Sequence, residues 1–144
     1  MYLIDTDILV FMLRGNTRVV ENMDARAADP RAISVITFAE LLYGAAKSAR
    51  PVENAAKVRR LGRMFQVVDV SGDIVETFAP LKAQLERQGE QLDSFDLLIA
   101  STALHLGYIG FPVSGPRTGH SNCGTRSLDC KRAGTGETAA LTVK

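Results

Sequence analysis

The feature that most constrains this chain is a repeated two-part unit, a short apolar run followed by a stretch with helical spacing. Tyr2–Ile4 is the first such run, Ala32–Ile36 the second and Phe65–Val70 the third. Short apolar, β-branched runs belong to strands buried on both faces. Strands that alternate with helices assemble into a parallel sheet covered on both sides. In such sheets ligands bind beyond the carboxyl ends of the strands, so the residues that follow each run are where chemistry is to be sought.

The intervening helices carry their own punctuation. Asp5 or Thr6 caps a helix over Ile8–Leu13, which Arg14-Gly15-Asn16 stops. Thr17–Ala28 forms a second helix, closed by the turn Asp29-Pro30. Phe38–Ser48 turns Leu41, Leu42 and Ala45 inward, and Val52–Arg63 is an amphipathic basic helix with Gly62 at its end. A long helix covers Ile74–Arg87, with Pro80 expected to kink it because a mid-helix proline removes a backbone donor. The last helix runs over Asp93–Leu106, with Gly107 as its C′ residue, and Tyr108-Ile109 begins a fourth core strand.

At residue 110 this grammar stops. Residues 1–109 carry 12 Lys and Arg against 14 Asp and Glu, whereas residues 110–144 carry 5 against 2. The second segment is dense in Gly, Pro, Ser and Thr and has no apolar period, so it is expected to be a disordered tail. The chain therefore divides into one domain over 1–109 and an atypical stretch over 110–144. An apolar content of 46% over 144 residues is enough for a real core. No apolar run reaches the roughly 18 residues of a membrane span, and no signal peptide is expected from the N-terminal sequence. Both cysteines, Cys123 and Cys130, lie in the tail, which makes a reduced, cytoplasmic setting the default.

Three acids stand in distinctive surroundings. Asp5 closes the first apolar run, Glu40 sits in Ser34-Val35-Ile36-Thr37-Phe38-Ala39-Glu40-Leu41-Leu42-Tyr43-Gly44, and Asp96 sits in Asp93-Ser94-Phe95-Asp96-Leu97-Leu98-Ile99-Ala100. A carboxylate at the end of a buried strand, joined by two on helices, makes an oxygen-lined site for a hard divalent ion. Such a site suits phosphodiester cleavage. Plainer readings compete. Asp5 is placed to cap a helix. Asp93 as N-cap, with Asp96 favoured by the helix dipole, explains Asp-x-x-Asp without any metal. Against them, Glu40 is set among apolar residues, where a carboxylate without a partner is expensive. We assign Asp93 to the cap and Asp5, Glu40 and Asp96 to the site, with Thr6 either donating to a site carboxylate or capping. Lys57, Arg59, Arg60 and Arg63 suit RNA phosphates, but a solvated helix face is the simpler account. His105 compensates a helix dipole or packs. His120, Cys123 and Cys130 match no standard zinc spacing.

These three segments, with Leu3-Ile4-Asp5-Thr6-Asp7-Ile8-Leu9 as the first, resemble in order and spacing the VapC-type toxins of the PIN-domain superfamily, over residues 1–109. The resemblance implies a three-layer α/β/α sandwich with a central parallel sheet. It also implies a Mg²⁺- or Mn²⁺-dependent endoribonuclease acting on RNA, usually a homodimer, silenced by a cognate antitoxin protein. The family's three acidic ligands map to Asp5, Glu40 and Asp96. Asp7 stands where many relatives have Asn.

The family pattern continues with a strand and a Thr-Asn-Asn or Thr-Asn-Asp motif that completes the acidic site. This chain has none, and Asp129, the one Asp of the tail, lacks that setting. Loss of that strand region by a deletion that also shifted the reading frame is our hypothesis for the break. Freely chosen codons for residues 110–125 allow another frame to encode a family-like ending, and sequencing the gene across codons 109–126 decides it. A chain without the last motif is expected to be destabilised and to cleave RNA poorly or not at all. The alternative is a catalytically inactive toxin that still binds an antitoxin or a toxin partner. A PIN-like DNA nuclease is a third reading.

Overall fold

The three apolar runs form three strands of one sheet in the computed structural model, which describes residues 1–111, 128–130 and 141–143. They are β1 (Tyr2–Ile4), β2 (Arg31–Ser34) and β3 (Gln66–Val68), joined by β4 (Ile109–Gly110). The helices are α1 (Thr6–Leu13), α2 (Thr17–Ala25), α3 (Val35–Ala46), α4 (Pro51–Met64), α5 (Gly72–Arg87) and α6 (Ser94–Leu106). All strand pairs of this sheet are parallel, and the spatial order is β3-β2-β1-β4. The α/β expectation therefore holds, and so does the fourth strand begun at Tyr108-Ile109.

Strand pleating sorts the core into two layers. Ile4 and Ile33, paired across β1 and β2, belong to a large cluster with Ile8, Leu9, Leu41, Val58 and Phe65 from the following helices. Their neighbours Leu3 and Ala32, also paired, face the opposite side and meet Ile99 and Ala103 of α6. Alternate residues of the same strands thus bury against helices on both faces, as a period of two requires. The sheet ends with Phe111, whose N–H donates to the Leu3 carbonyl at 2.9 Å and whose ring meets Tyr2 edge-on at 5.5 Å. Phe111 is buried, so the core extends two residues beyond the expected boundary at 109.

Two local expectations are corrected. Val35 and Ile36 are helical, not strand, because the Ser34 hydroxyl accepts from the Thr37 N–H at 2.9 Å and starts α3 directly after β2. Gly62 lies inside α4 and does not end it. A Cβ there would fall 2.9 Å from Cε2 of Phe38, so glycine permits α3 and α4 to approach closely. Pro80 sits on the exposed side of α5, which continues through it. Gly107 takes the left-handed conformation expected of it, with φ 62°.

Beyond Phe111 the described backbone comprises β5 (Leu128–Cys130) and β6 (Leu141–Val143), an antiparallel pair. The expectation of a disordered tail without the family's last strand region falls otherwise on residues outside those described.

Candidate active site

The strand order reverses at β1, because β2 and β3 lie to one side of it and β4 to the other. In α/β proteins the crevice that binds ligands lies beside such a reversal, at the carboxyl edge of the sheet. Asp5 immediately follows β1 at this edge, Glu40 is in the second turn of α3 and Asp96 in the first turn of α6. The topology places all three at one edge of the sheet, near enough for their charges to act on one another.

The structure joins them by one hydrogen bond and by their charge. The Thr6 hydroxyl donates to Oε2 of Glu40 at 2.5 Å, which ties the start of α1 to α3. Thr6 is therefore a donor to a site carboxylate, the first of its two sequence readings. Asp5 accepts from the Thr6 N–H at 2.7 Å. The carboxyl of Asp5 is raised above its usual range, foremost because surrounding protein desolvates it, with the charges of Asp7 and Glu40 adding to the effect. The Thr6 N–H works in the opposite direction. Asp96 is raised too, again mainly by desolvation and then by the charges of Asp5, Asp93, Glu40 and Asp7. Asp5 and Asp96 retain solvent contact while Glu40 is half-buried, so this edge carries an acidic, water-accessible rim.

No cation among the described residues neutralises this rim. The ion pairs lie on and beside α4, where Glu53 meets Lys57 at 3.0 Å and Arg50 at 3.5 Å. Lys57 is thus engaged, and Arg59, Arg60 and Arg63 are exposed, the solvated helix face expected of them. Asp93 caps α6 by accepting from the Phe95 N–H at 2.8 Å, as the sequence indicated. His105 is exposed in the last turn of α6. Sequence reasoning missed Lys82 of α5, whose Nζ donates to the Ser94 hydroxyl at 3.1 Å and braces the first turn of α6. No local pattern signals a contact made across a helix-to-helix connection. His120 and Cys123 lie outside the described residues, as does any completion of the site by residues 112–127.

The donor set is all carboxylate oxygen, which fits a hard divalent ion. Among the described residues, however, no three of His, Cys, Asp and Glu converge at metal-ligand spacing. The arrangement is an acidic crevice whose carboxylates interact through the field and whose closure onto one ion requires further approach.

A four-stranded parallel sheet flanked by helices, with its strand order reversing at β1, defines the class, an α/β protein of three layers. Residues 2–109 match the PIN domain. The chain is 30% identical over 108 residues to "Ribonuclease VapC2" of Haemophilus influenzae, covering 75% of this chain and 82% of that one. It is also 30% identical over 108 residues to "tRNA(fMet)-specific endonuclease VapC" of Shigella flexneri, with the same coverage. Among solved structures, VapBC2 from Rickettsia felis bound to a promoter DNA fragment superposes with a TM-score of 0.71 at 29% identity, over 76% of this chain and 84% of that one. VapBC from Salmonella typhimurium gives 0.70 at 27%, over 76% and 83%. The chain belongs to the PIN-domain family, among its VapC-type members.

Proposed function

We propose that this protein is a divalent-metal-dependent endoribonuclease, the toxin of a toxin–antitoxin pair, with a cognate antitoxin as its protein partner. The observation that carries the reading is the gathering of Asp5, Glu40 and Asp96 at the sheet's carboxyl edge, in a chain whose relatives are named ribonucleases. The antitoxin partner rests on the likeness to VapBC complexes. A homodimer and a cytoplasmic setting belong to the same proposal. Among the described residues no helix is long and apolar enough to cross a membrane.

The chemistry follows from the donor set. Asp5, Glu40 and Asp96 would hold Mg²⁺ or Mn²⁺, which when bound lowers the pKa of water and offsets charge on the phosphoryl and leaving oxygens. The chain's own part is to hold these carboxylates in place. Thr6 fixes Glu40 through its hydroxyl. The Asp93 cap and the Lys82–Ser94 bond fix the turn that carries Asp96. Desolvation first, and the neighbouring acids after it, raise Asp5 and Asp96, and a bound cation would favour their charged forms.

The decisive experiment is RNA cleavage by the purified chain with Mg²⁺ or Mn²⁺, with EDTA, and with an Asp5→Asn variant, after circular dichroism shows both proteins folded. Initiator tRNA is the first substrate, because the Shigella flexneri relative is named for it, and single-stranded DNA is the control that separates a DNA nuclease. Cleavage that needs both metal and Asp5 supports the proposal. A folded chain that cuts no RNA overturns it. One observation favours a second reading, a catalytically inactive toxin that only binds its antitoxin or a toxin partner: the described acids do not close onto one ion. Retained antitoxin binding without cleavage distinguishes it.

A further inference from the structure

Among the described residues, nothing packs against Gly44 to call for a glycine. It lies inside α3 and is not among the glycines with positive φ. A Cβ placed on it would meet nothing within 4 Å. A mid-helix glycine costs about 0.5–1 kcal/mol relative to alanine, and no close approach among the described residues offsets that. Gly44 leaves the helix backbone exposed on this face.

The neighbours of Gly44 say what. Glu40, Tyr43, Gly44 and Lys47 are spaced three, four and seven apart and share one helical face. That face begins at the candidate active site with Glu40. One turn on, Tyr43 projects its ring into solvent at 64% exposure, a large apolar surface with little cover. The Lys47 ammonium lies 5.0 Å from the centre of that ring. Beside Asp96, Phe95 is exposed as well, at 51%. An exposed aromatic ring with a cation beside it, on the helix face that begins at Glu40, supplies the elements of a nucleotide subsite. Bases stack on exposed rings, and a lysine takes the phosphate that the carboxylates repel.

We propose that Tyr43, Gly44 and Lys47 form a subsite for an unpaired RNA nucleotide next to the bond held at Asp5, Glu40 and Asp96. The base stacks on Tyr43, the exposed backbone at Gly44 leaves room for its sugar, and Lys47 pairs with its phosphate. The subsite rests on the ribonuclease reading for its substrate class but not for its chemistry, so binding is the readout.

The test uses a short fluorescein-labelled single-stranded RNA in EDTA, titrated with the full chain and read by anisotropy. Tyr43→Ala weakens binding by about 10-fold, the loss of one base stack, and Tyr43→Phe, which keeps the ring, does not. Lys47→Gln weakens binding and lowers the salt slope by about 1. Gly44→Leu is the sharpest variant, because it fills open space with a good helix former. Its melting temperature is unchanged or higher while RNA binding falls by about 10-fold or more. Equal binding by wild type and all three disruptive variants overturns the subsite and leaves the ribonuclease reading intact. A Gly44→Leu variant that binds RNA normally but loses a dimer in light scattering overturns it in favour of a contact between copies. Wild-type binding and variant losses without any cleavage uphold the subsite and sink the enzyme reading. A wild-type chain that neither binds nor cleaves RNA overturns both.

Discussion

The starts of α1 and α6 look alike in sequence, each with two acids about a helix N-terminus, yet they use those acids differently. At α6 the labour is divided. Asp93 bonds the Phe95 N–H, two residues into the turn, and leaves Asp96 to the crevice. At α1 a single residue, Asp5, occupies both the cap position and the crevice. Its carboxylate bonds only the adjacent Thr6 N–H at 2.7 Å. The caps of α2, α3 and α5 (Asn16, Ser34 and Ser71) each reach the N–H three residues on. A good cap reaches the N–H two or three residues on. By that measure Asp5 is a poor cap and Asp93 a good one. Position at a helix start does not decide between capping and chemistry; the N–H that the carboxylate accepts from does.

This contrast is broken most severely by exchanging which function is lost. Asp5→Ala should reduce metal-dependent RNA cleavage by at least about 100-fold, since a charge that steadies a metal-assisted transition state is worth several kcal/mol. Its unfolding free energy should change little. If Asp5→Ala instead unfolds the protein at ambient temperature while Asp5→Asn is fully active, Asp5 is a cap and nothing more. Thr6→Val comes next. It removes the donor to Glu40 and leaves a half-buried carboxylate without it, at about 1.5–3 kcal/mol for a hydrogen bond to a charged group. Thr6→Ser should restore both stability and cleavage, and a failure of that rescue would point to packing of the methyl group. Asp93→Ala is smaller again, about 1 kcal/mol for a lost cap, read in urea unfolding. Cleavage well below the melting temperature should stay within a few-fold of wild type, because Asp96 is untouched. A collapse of activity in a folded Asp93→Ala protein would show that the two roles at α6 are not separate after all.

How much of this was readable beforehand follows the same physics. Asp5, Glu40 and Asp96 were legible as candidates because each has a distinctive local setting: Asp5 directly follows an apolar run, Glu40 lies among apolar helix residues and Asp96 comes three residues after a cap. The parallel sheet was legible because its strands are apolar without alternation. Val35 and Ile36 misled, because β-branched residues favour a strand until a Ser34 hydroxyl accepts from the third N–H onward and commits the backbone to helix. Gly62 misled for a tertiary reason. A glycine near the end of an amphipathic segment reads as a stop, whereas here it makes room for the Phe38 ring of another helix. Lys82 was invisible because its partner, Ser94, lies 12 residues away across a loop.

The smallest effect separates the two helix starts by charge alone. Asp96 sits in the first turn of α6, where the helix dipole favours a carboxylate, yet its pKa is raised, because desolvation and then its acidic neighbours outweigh the dipole. In the unfolded chain it titrates near 3.8. The folded state holds its proton more tightly, so stability falls as pH rises from 3.8 through the raised folded value, and the penalty is complete above it. Asp96→Asn removes that penalty. Its melting temperature should exceed wild type at neutral pH, and the difference should shrink to nothing below pH 3.8 and diminish in high salt. Mg²⁺ should raise the melting temperature of wild type more than that of Asp96→Asn, since only wild type keeps the full set of carboxylates that the ion would bind. A variant that melts below wild type at neutral pH would mean that the dipole wins. The first turn of α6 would then be a helix start with a well-placed acid, and the crevice would lose its third carboxylate as a ligand.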